Sequence, residues 1–293
     1  MKKLLSKDLL NLIDELHENG AICYVVGGFV RDFLLDREAY DVDIEVHEIE
    51  INLFESIIKK HSEFQLQGKF GVYKLMSYDN VEFTIPRIEN ITGSKHSDFL
   101  INLDPYMGTK KASIRRDFTV NSLMFNLKTS EIIDHFNGIE DLNNKVLRHI
   151  SDKFGEDSLR VLRGVRFASE LGFKLADETL LVAKSMSLDN LANERMCTEF
   201  RRFILGEHLY ETLDDFKFLF GERYFFNELD QVEQNPLYHP EGNAWLHTKE
   251  AIKIGTEIFI NKNDDEKFIG LSSLLFHDIG KICKLTKEKI THE

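Results

Sequence analysis

Residues 27–46 read GGFVRDFLLDREAYDVDIEV, and the chain is organised around them. The apolar run Ile22–Val26 just before them has the length and composition of a buried strand. Gly27 and Gly28 end it, a short helical segment follows, and a second strand carries Asp41 and Asp43. Side chains at i and i+2 of a strand lie on one face. Two carboxylates there suit a hard cation such as Mg²⁺, which takes oxygen ligands and completes its shell with water and substrate phosphates. The glycines let backbone N–H groups come close to a phosphate. A phosphate cradle followed by paired metal carboxylates points to nucleotidyl transfer. Each half alone is weak, since D-x-D also occurs on solvated strand edges and Gly-Gly in ordinary turns; their order on adjacent segments carries the reading.

The chain has 293 residues, 42% of them apolar and 30% charged, enough for a buried core in one large or two smaller domains. No apolar run approaches a membrane span. The N-terminal MKKLLSKDLLNLIDEL is interrupted by Lys7, Asp8, Asp14 and Glu15, so it reads as an amphipathic helix and not as a targeting segment. Cys23, Cys197 and Cys283 form no C-x-x-C pair and are expected to be free buried thiols in a reducing, cytoplasmic setting. Net charge is −13, which argues against a general nucleic-acid binder. Two basic tracts stand against it: Lys110, Lys111, Arg115 and Arg116, then Arg160, Arg163 and Arg166, neither containing an acid. One polyanion-binding face on an acidic body is compatible with this pattern.

Residues 7–19 carry a helical stripe that Ser6 can cap and Gly20 can end. A second amphipathic helix is predicted over 49–60. Residues 72–77 and 81–85 flank Tyr78-Asp79-Asn80 as a hairpin. Glu82 on its second strand is a candidate third carboxylate or, equally, a solvent-facing acid. Residues 86–105 form a long polar connection with little periodicity, including Gly93, Ser94, Lys95 and His96. Residues 120–127 read as a strand, turning through Thr129 and Ser130 into a second one at 131–134. Beyond residue 150 the pattern becomes helical, over 154–171, 177–186 and 192–205. These elements predict an α+β fold: a mixed α/β head over 1–150 followed by an all-α body, divided into a helical neck over 151–225 and a last portion over 226–293. In that last portion His247, His277 and Asp278 are spaced as ligands of a metal-assisted phosphoester hydrolase.

Seven ordered stretches resemble the bacterial class II tRNA nucleotidyltransferases, the CCA-adding enzymes, and their poly(A) polymerase relatives. They are GGFVRDFLL at 27–35, DVDIEV at 41–46, FTIPR at 83–87, RRDFTVNSL at 115–123, DHFNGIEDL at 134–142, EDSLRVLRGVRF at 156–167 and ERMCTEF at 194–200. The tail resembles the HD domain that some of these enzymes carry. The resemblance implies a DNA polymerase beta-like head and addition of CMP, CMP and AMP to tRNA 3′ ends from CTP and ATP, with Mg²⁺ at Asp41 and Asp43. It implies that Gly27 and Gly28 cradle phosphates beside Arg31, and that Arg116 and Asp117 recognise the ribose 2′-hydroxyl. Asp157 and Arg160 resemble an amino-acid template for the base.

The chemistry of that template follows from the residue types. Cytosine and adenine pair an exocyclic amino donor with a ring-nitrogen acceptor, which a carboxylate and a guanidinium satisfy in turn. Guanine and uracil mismatch both partners, and a hydrogen-bonding site rejects such a mismatch strongly. Asp157 and Arg160, three apart on the predicted helix, share a face; the plain alternative is an i,i+3 salt bridge. Arg163 contacts phosphate or packs. Glu194-Arg195…Glu199 is expected to be a buried ion pair bracing the helix behind the template, and residues 87–99 resemble the family's flexible loop.

Two departures from the family pattern stand out. Residues 35–40, LDREAY, replace the usual Gly-Arg-x-Pro-Lys-Asp lead into Asp41. The chain also ends at Glu293, before the further Asp that an HD domain uses, so the HD portion is expected to be partial, a second divalent metal at His247, His277 and Asp278 conditional, and hydrolase activity absent. The readings left open are a CCA-adding enzyme, a poly(A) polymerase or CC-only or A-only enzyme, an HD phosphohydrolase with the head as nucleotide sensor, and a silent RNA-binding module. No membrane association and no protein partner are expected.

Overall fold

The computed structural model describes residues 1–68, 70–91, 99–189 and 191–283. It forms two compact units, Met1–Asp157 and Ser158–Glu293. Each is described by itself. Among the described residues no helix is long and apolar enough to cross a membrane.

The first unit is built on a seven-stranded sheet. Its strands are β1 (Ile22–Val26), β2 (Val42–His47), β3 (Phe64–Leu66), β4 (Val72–Leu75), β5 (Val81–Thr84), β8 (Met124–Asn126) and β9 (Ile132–Ile133). Their order is β3-β4-β5-β2-β1-β8-β9, with β2 and β5 parallel and every other neighbour antiparallel. Strand alternation separates two faces. One buries Cys23, Val25, Val42, Ile44 and Val46 under α1 (Lys7–Glu18) and α3 (Ile51–His61), which supply Leu9, Leu12, Ile13, Leu16, Phe54, Ile57 and Ile58. The other carries Tyr24, Val26 and Met124, followed by a row of polar side chains from β2. The Ser6 hydroxyl caps α1 by accepting from the Leu9 N–H, as its position before the apolar stripe predicts.

The connection over 86–105 is more regular than its composition suggests. Residues Arg87–Ile91 (β6) and Phe99–Leu103 (β7) pair antiparallel in a separate two-stranded ribbon. Backbone pairing needs no hydrophobic alternation, which is why the sequence left it invisible. Gly93 to His96, the centre of the expected flexible loop, lies outside the described residues. The predicted strand over 120–127 is likewise revised: it opens as a 3-10 turn, Thr119–Asn121, before β8 begins.

The remaining head helices are α2 (Gly28–Leu34), α4 (Thr109–Ser113) and α5 (Gly138–Asn144). The second unit contains α6 (Leu159–Leu171), α7 (Asp177–Lys184), α8 (Asn193–Ile204), α9 (Leu209–Tyr224), α10 (Ala244–Ile258) and α11 (Asp264–Phe276). Much of the unusual phenylalanine content is used here. Phe203 stacks on Phe216 at 4.7 Å, and Phe220, Phe226, Trp245 and Phe276 extend the same aromatic core. Of the three cysteines only Cys23 is buried; Cys197 and Cys283 are exposed, contrary to expectation.

Candidate active site

β1 delivers the chain into Gly27, whose φ of +73° is the left-handed region where a side chain would be strained. A Cβ there would meet Arg116 Nη1 at 3.0 Å and Asp43 Oδ2 at 4.0 Å. The glycine therefore marks the point where a guanidinium and a carboxylate converge. Asp43 is the second residue of β2, and Asp41 stands just before it, exposed. Across the parallel pair, Asp43 lies in register with Glu82 of β5, which puts both carboxylates on one face. Glu82 Oε1 accepts from Gln67 Nε2 at 3.1 Å.

Two further residues continue the row from β2. Glu45, wholly buried, takes His47 Nε2 at 3.0 Å on Oε1; its Oε2 accepts from Arg115 Nη2 at 3.3 Å and lies 3.6 Å from Arg116 Nη2. Burial works to raise the Glu45 carboxyl, but the His47 hydrogen bond and the Arg116 and Arg115 charges outweigh it and hold it at about 2. Asp43 moves the other way. Burial pushes it up, Arg116 pulls it down, and Glu82, Asp41 and Glu45 push it up again. Crowded acids of this kind favour a bound cation.

The fit to Mg²⁺ follows from the donor set. Asp41 and Asp43 offer two carboxylates, the number Mg²⁺ commonly takes from protein when phosphate and water supply the rest. Among the described residues, the clusters of three convergent ligand atoms lie elsewhere, in the tail.

Arg31 stands beside Gly28, its Nη2 lying 3.5 Å from where a Cβ on that glycine would be, but it is not an open cleft residue. It is buried, with Nε and Nη2 donating to Asp32 at 2.8 and 2.9 Å and Nη1 donating to Asn121 Oδ1 at 2.7 Å. Asn121 Nδ2 then donates to Asp117 Oδ1 at 2.9 Å, which also accepts the Phe118 N–H at 2.8 Å. Arg31 thus orients Asp117 through Asn121. The stretch 134–142 braces this loop from behind. Asp134 accepts from the Gly138 and Ile139 N–H groups, and Asp141 accepts from the Thr119 hydroxyl at 2.7 Å.

Asp157 and Arg160 do not share a helix. A 3-10 turn over Asp152–Glu156 ends at Asp157, which is extended (φ −132°, ψ 103°), and Ser158 stands just before α6, where Arg160 is the second residue. Arg163 lies over the Phe167 ring at 5.1 Å. The bracing ion pair also has a different cationic member from the expected one. Glu199 pairs with Arg166 at 2.8 Å, whereas Glu194 and Arg195 are exposed.

In the tail, ligand atoms of His247, His277 and Asp278 lie within 4.8 Å of one another, and so do those of His239, Glu241 and His247. His247 therefore belongs to both groups. Lys281 Nζ donates to Asp278 Oδ2 at 2.8 Å. His239 and Glu241 were not among the ligands expected from the sequence.

Residues 23–148 match the family model described as the poly A polymerase head domain, a span that contains Gly27, Asp41, Asp43, Glu82, Arg116 and Asp117. The resemblance to CCA-adding enzymes and poly(A) polymerases extends well beyond the head. The chain is 33% identical over 285 residues to the multifunctional CCA protein of Acinetobacter baumannii strain SDF, covering 92% of this chain and 65% of that protein. It is 32% identical over 271 residues to the protein of the same name from Xylella fastidiosa strain 9a5c, covering 88% and 62%. The chain therefore spans less than two thirds of the curated relatives it matches. In fold it is similar to a tRNA nucleotidyltransferase solved with a primer tRNA and an incoming ATP analog (24% identity, TM-score 0.63, 95% of this chain and 82% of that one). It is also similar to the Thermotoga maritima CCA-adding enzyme complexed with tRNA (20% identity, TM-score 0.64, 99% and 68%).

Proposed function

We propose that this chain is a template-independent RNA nucleotidyltransferase that adds CMP, CMP and AMP to tRNA 3′ ends. The supporting observation is the convergence of Asp43, Arg116 and Gly27 at one point of the sheet, with Glu82 in register alongside. In the reaction the 3′-oxygen of the primer bonds to the α-phosphorus of CTP or ATP as the bond to pyrophosphate breaks. Mg²⁺ held by Asp41 and Asp43 supplies charge neutralisation of the triphosphate and a more acidic 3′-hydroxyl. Gly27 and Gly28 leave room for the phosphates, and Glu82 adds negative potential beside Asp43. Arg116 and Asp117 read the ribose 2′-hydroxyl, Asp117 being held for it by Arg31 and Asn121. Asp157 and Arg160 are assigned to the base, with Arg163 stacked on Phe167 as their support.

The acceptor specificity is tested on tRNA ending before CCA, before C-A and before A, with CTP alone, ATP alone and both. A CCA-adding enzyme puts two residues from CTP alone on the shortest tRNA. Runs of A with no CTP use would replace this reading by that of a poly(A) polymerase; arrest after CC would mark a CC-only enzyme, and a single A added to tRNA ending in CC with no CTP use would mark an A-only enzyme. Work on tRNA is assigned to the cytoplasm.

The tail supports a second, narrower reading. The convergence of His247, His277 and Asp278 suits a divalent metal in a partial HD-type portion over 226–293, following a neck over 151–225. Titration of the chain with Co²⁺, read by its visible d–d bands, tests this; bands unaffected by His247→Ala would remove the assignment.

A further inference from the structure

The run from Asp41 to His47 is D-V-D-I-E-V-H, so Asp43, Glu45 and His47 project from one face of β2. Asp43 is partly open, whereas Glu45 has no exposed surface. A buried carboxylate must be compensated, and here both oxygens are engaged: Oε1 with His47, Oε2 with Arg115 and, at 3.6 Å, with Arg116. Glu45 is therefore unlike its neighbour two residues back. It presents no exposed oxygen to a cation from solution, and its geometry is that of a counter-ion.

Arg116 is the cation it shares with Asp43. One guanidinium tip, Nη2, faces Glu45; the other, Nη1, lies 3.0 Å from where a Cβ on Gly27 would stand, with Asp43 Oδ2 4.0 Å from the same point. Its Nε is buried and has no hydrogen-bond partner. The two carboxylates compete for it. A guanidinium seated on Asp43 would cover the oxygens a divalent cation needs, because Arg–carboxylate pairing engages both of them.

We propose that Glu45 is a positioning residue of the nucleotidyl-transfer site, holding the Arg116 guanidinium off Asp43 so that this aspartate stays available to a divalent cation. The inference rests on the reading of Asp41 and Asp43 as metal ligands. Nothing in it makes Glu45 a ligand itself; it acts through Arg116.

The test is Mn²⁺ binding to the full chain without nucleotide, read by the loss of the free-ion EPR signal and counted as the fraction that Asp43→Asn removes. Glu45→Gln keeps the shape and loses the charge, and is expected to weaken that fraction about tenfold, a coupling within the range for groups in one charged network. In an Arg116→Met background the same substitution is expected to change Mn²⁺ affinity less than about twofold, since no guanidinium remains to fall onto Asp43. Equal weakening in both backgrounds would show that Glu45 acts through its own field, and no weakening in either would show that it does not act at all; each overturns the proposal. Should Glu45→Gln fail to fold, Arg116→Met alone decides. A gain of about tenfold or more in Mn²⁺ affinity would mean that Arg116 already occupies Asp43 in the native chain, against the proposal, while a change under about twofold supports it. A wild-type chain with no Asp43-dependent Mn²⁺ would bring down both the metal-site reading and this inference, whereas intact binding with no coupling brings down only the latter.

Discussion

Asp43 on β2 and Glu82 on β5 stand opposite each other in register across the single parallel strand pair of the head sheet. Like charges on directly opposed strand positions repel, and the Asp43 carboxyl is raised by burial with Glu82, Asp41 and Glu45 adding to it against Arg116. The arrangement costs stability in the free protein and is relieved by a cation.

The first prediction concerns this relationship. Asp41→Ala and Asp43→Ala are expected to reduce CMP and AMP incorporation to background while tRNA binding persists. Glu82→Gln is expected to lose about 10- to 100-fold, the range for a group supporting ligands from the next layer out. Single-nucleotide extension assays with filter-binding controls measure both. Full activity in Asp43→Ala would refute the catalytic assignment.

A second prediction concerns Gly138. A Cβ at this position would run into the Thr119 carbonyl, with Leu123 Cδ2 at 3.0 Å. Gly138→Ala is expected to destabilise the head by about 1–3 kcal/mol, the cost of overpacking a rigid contact. It should also reduce NTP-over-dNTP discrimination, because the Thr119 turn adjoins Asp117. Thermal unfolding by circular dichroism and competition between CTP and dCTP give the two readouts.

The buried pair Arg166–Glu199 supplies the third. Burial lowers the Arg166 guanidinium to about 10 even though Glu170 and Glu199 oppose this. Removing one partner strands a buried charge, so Glu199→Ala is expected to cost about 3–5 kcal/mol, and Arg166→Met with Glu199→Leu appreciably less. Trp245, the only tryptophan and 2% exposed, reports unfolding of this unit by fluorescence in urea. Equal losses in the single and double variants would contradict the argument.

Acid sensitivity gives the fourth. Burial lowers the His17 imidazole below its ordinary 6.5; Asp14 opposes the shift, and Lys128 and Lys2 add to it. Its Nε2 is buried without a hydrogen-bond partner. A His with a depressed folded value binds its proton more readily when unfolded, so its contribution is fully present above pH 6.5 and is lost as pH falls toward the folded value. Wild type is expected to lose more Tm than His17→Gln between pH 7.5 and 5.5. Parallel Tm curves would rule the effect out.

Much of the site was legible because its chemistry is local. Gly27, the D-x-D pair and the Ile22–Val26 strand are adjacent in sequence, and strand alternation alone puts the acids on one face. The same period, continued two and four residues further, reaches Glu45 and His47, so the signal for them was present; what it lacked was any indication that Glu45 is buried against arginines 70 residues away. Helix 159–171 was legible from its stripe, but its start was not, because Asp157 and Ser158 fit a helical pattern and only the backbone shows the break.

By itself, then, the sequence determined the α+β order, the nucleotidyltransferase signature and the residue types available for metal and sugar. Tertiary structure alone decided which of those charges face one another. It matched Arg166 to Glu199, turned Arg31 inward onto Asp32 and Asn121, and placed Arg116 between Asp43 and Glu45. The physical reason is that local periodicity fixes a side chain's face, whereas its charge partner is chosen by long-range packing and by the need to compensate every buried charge.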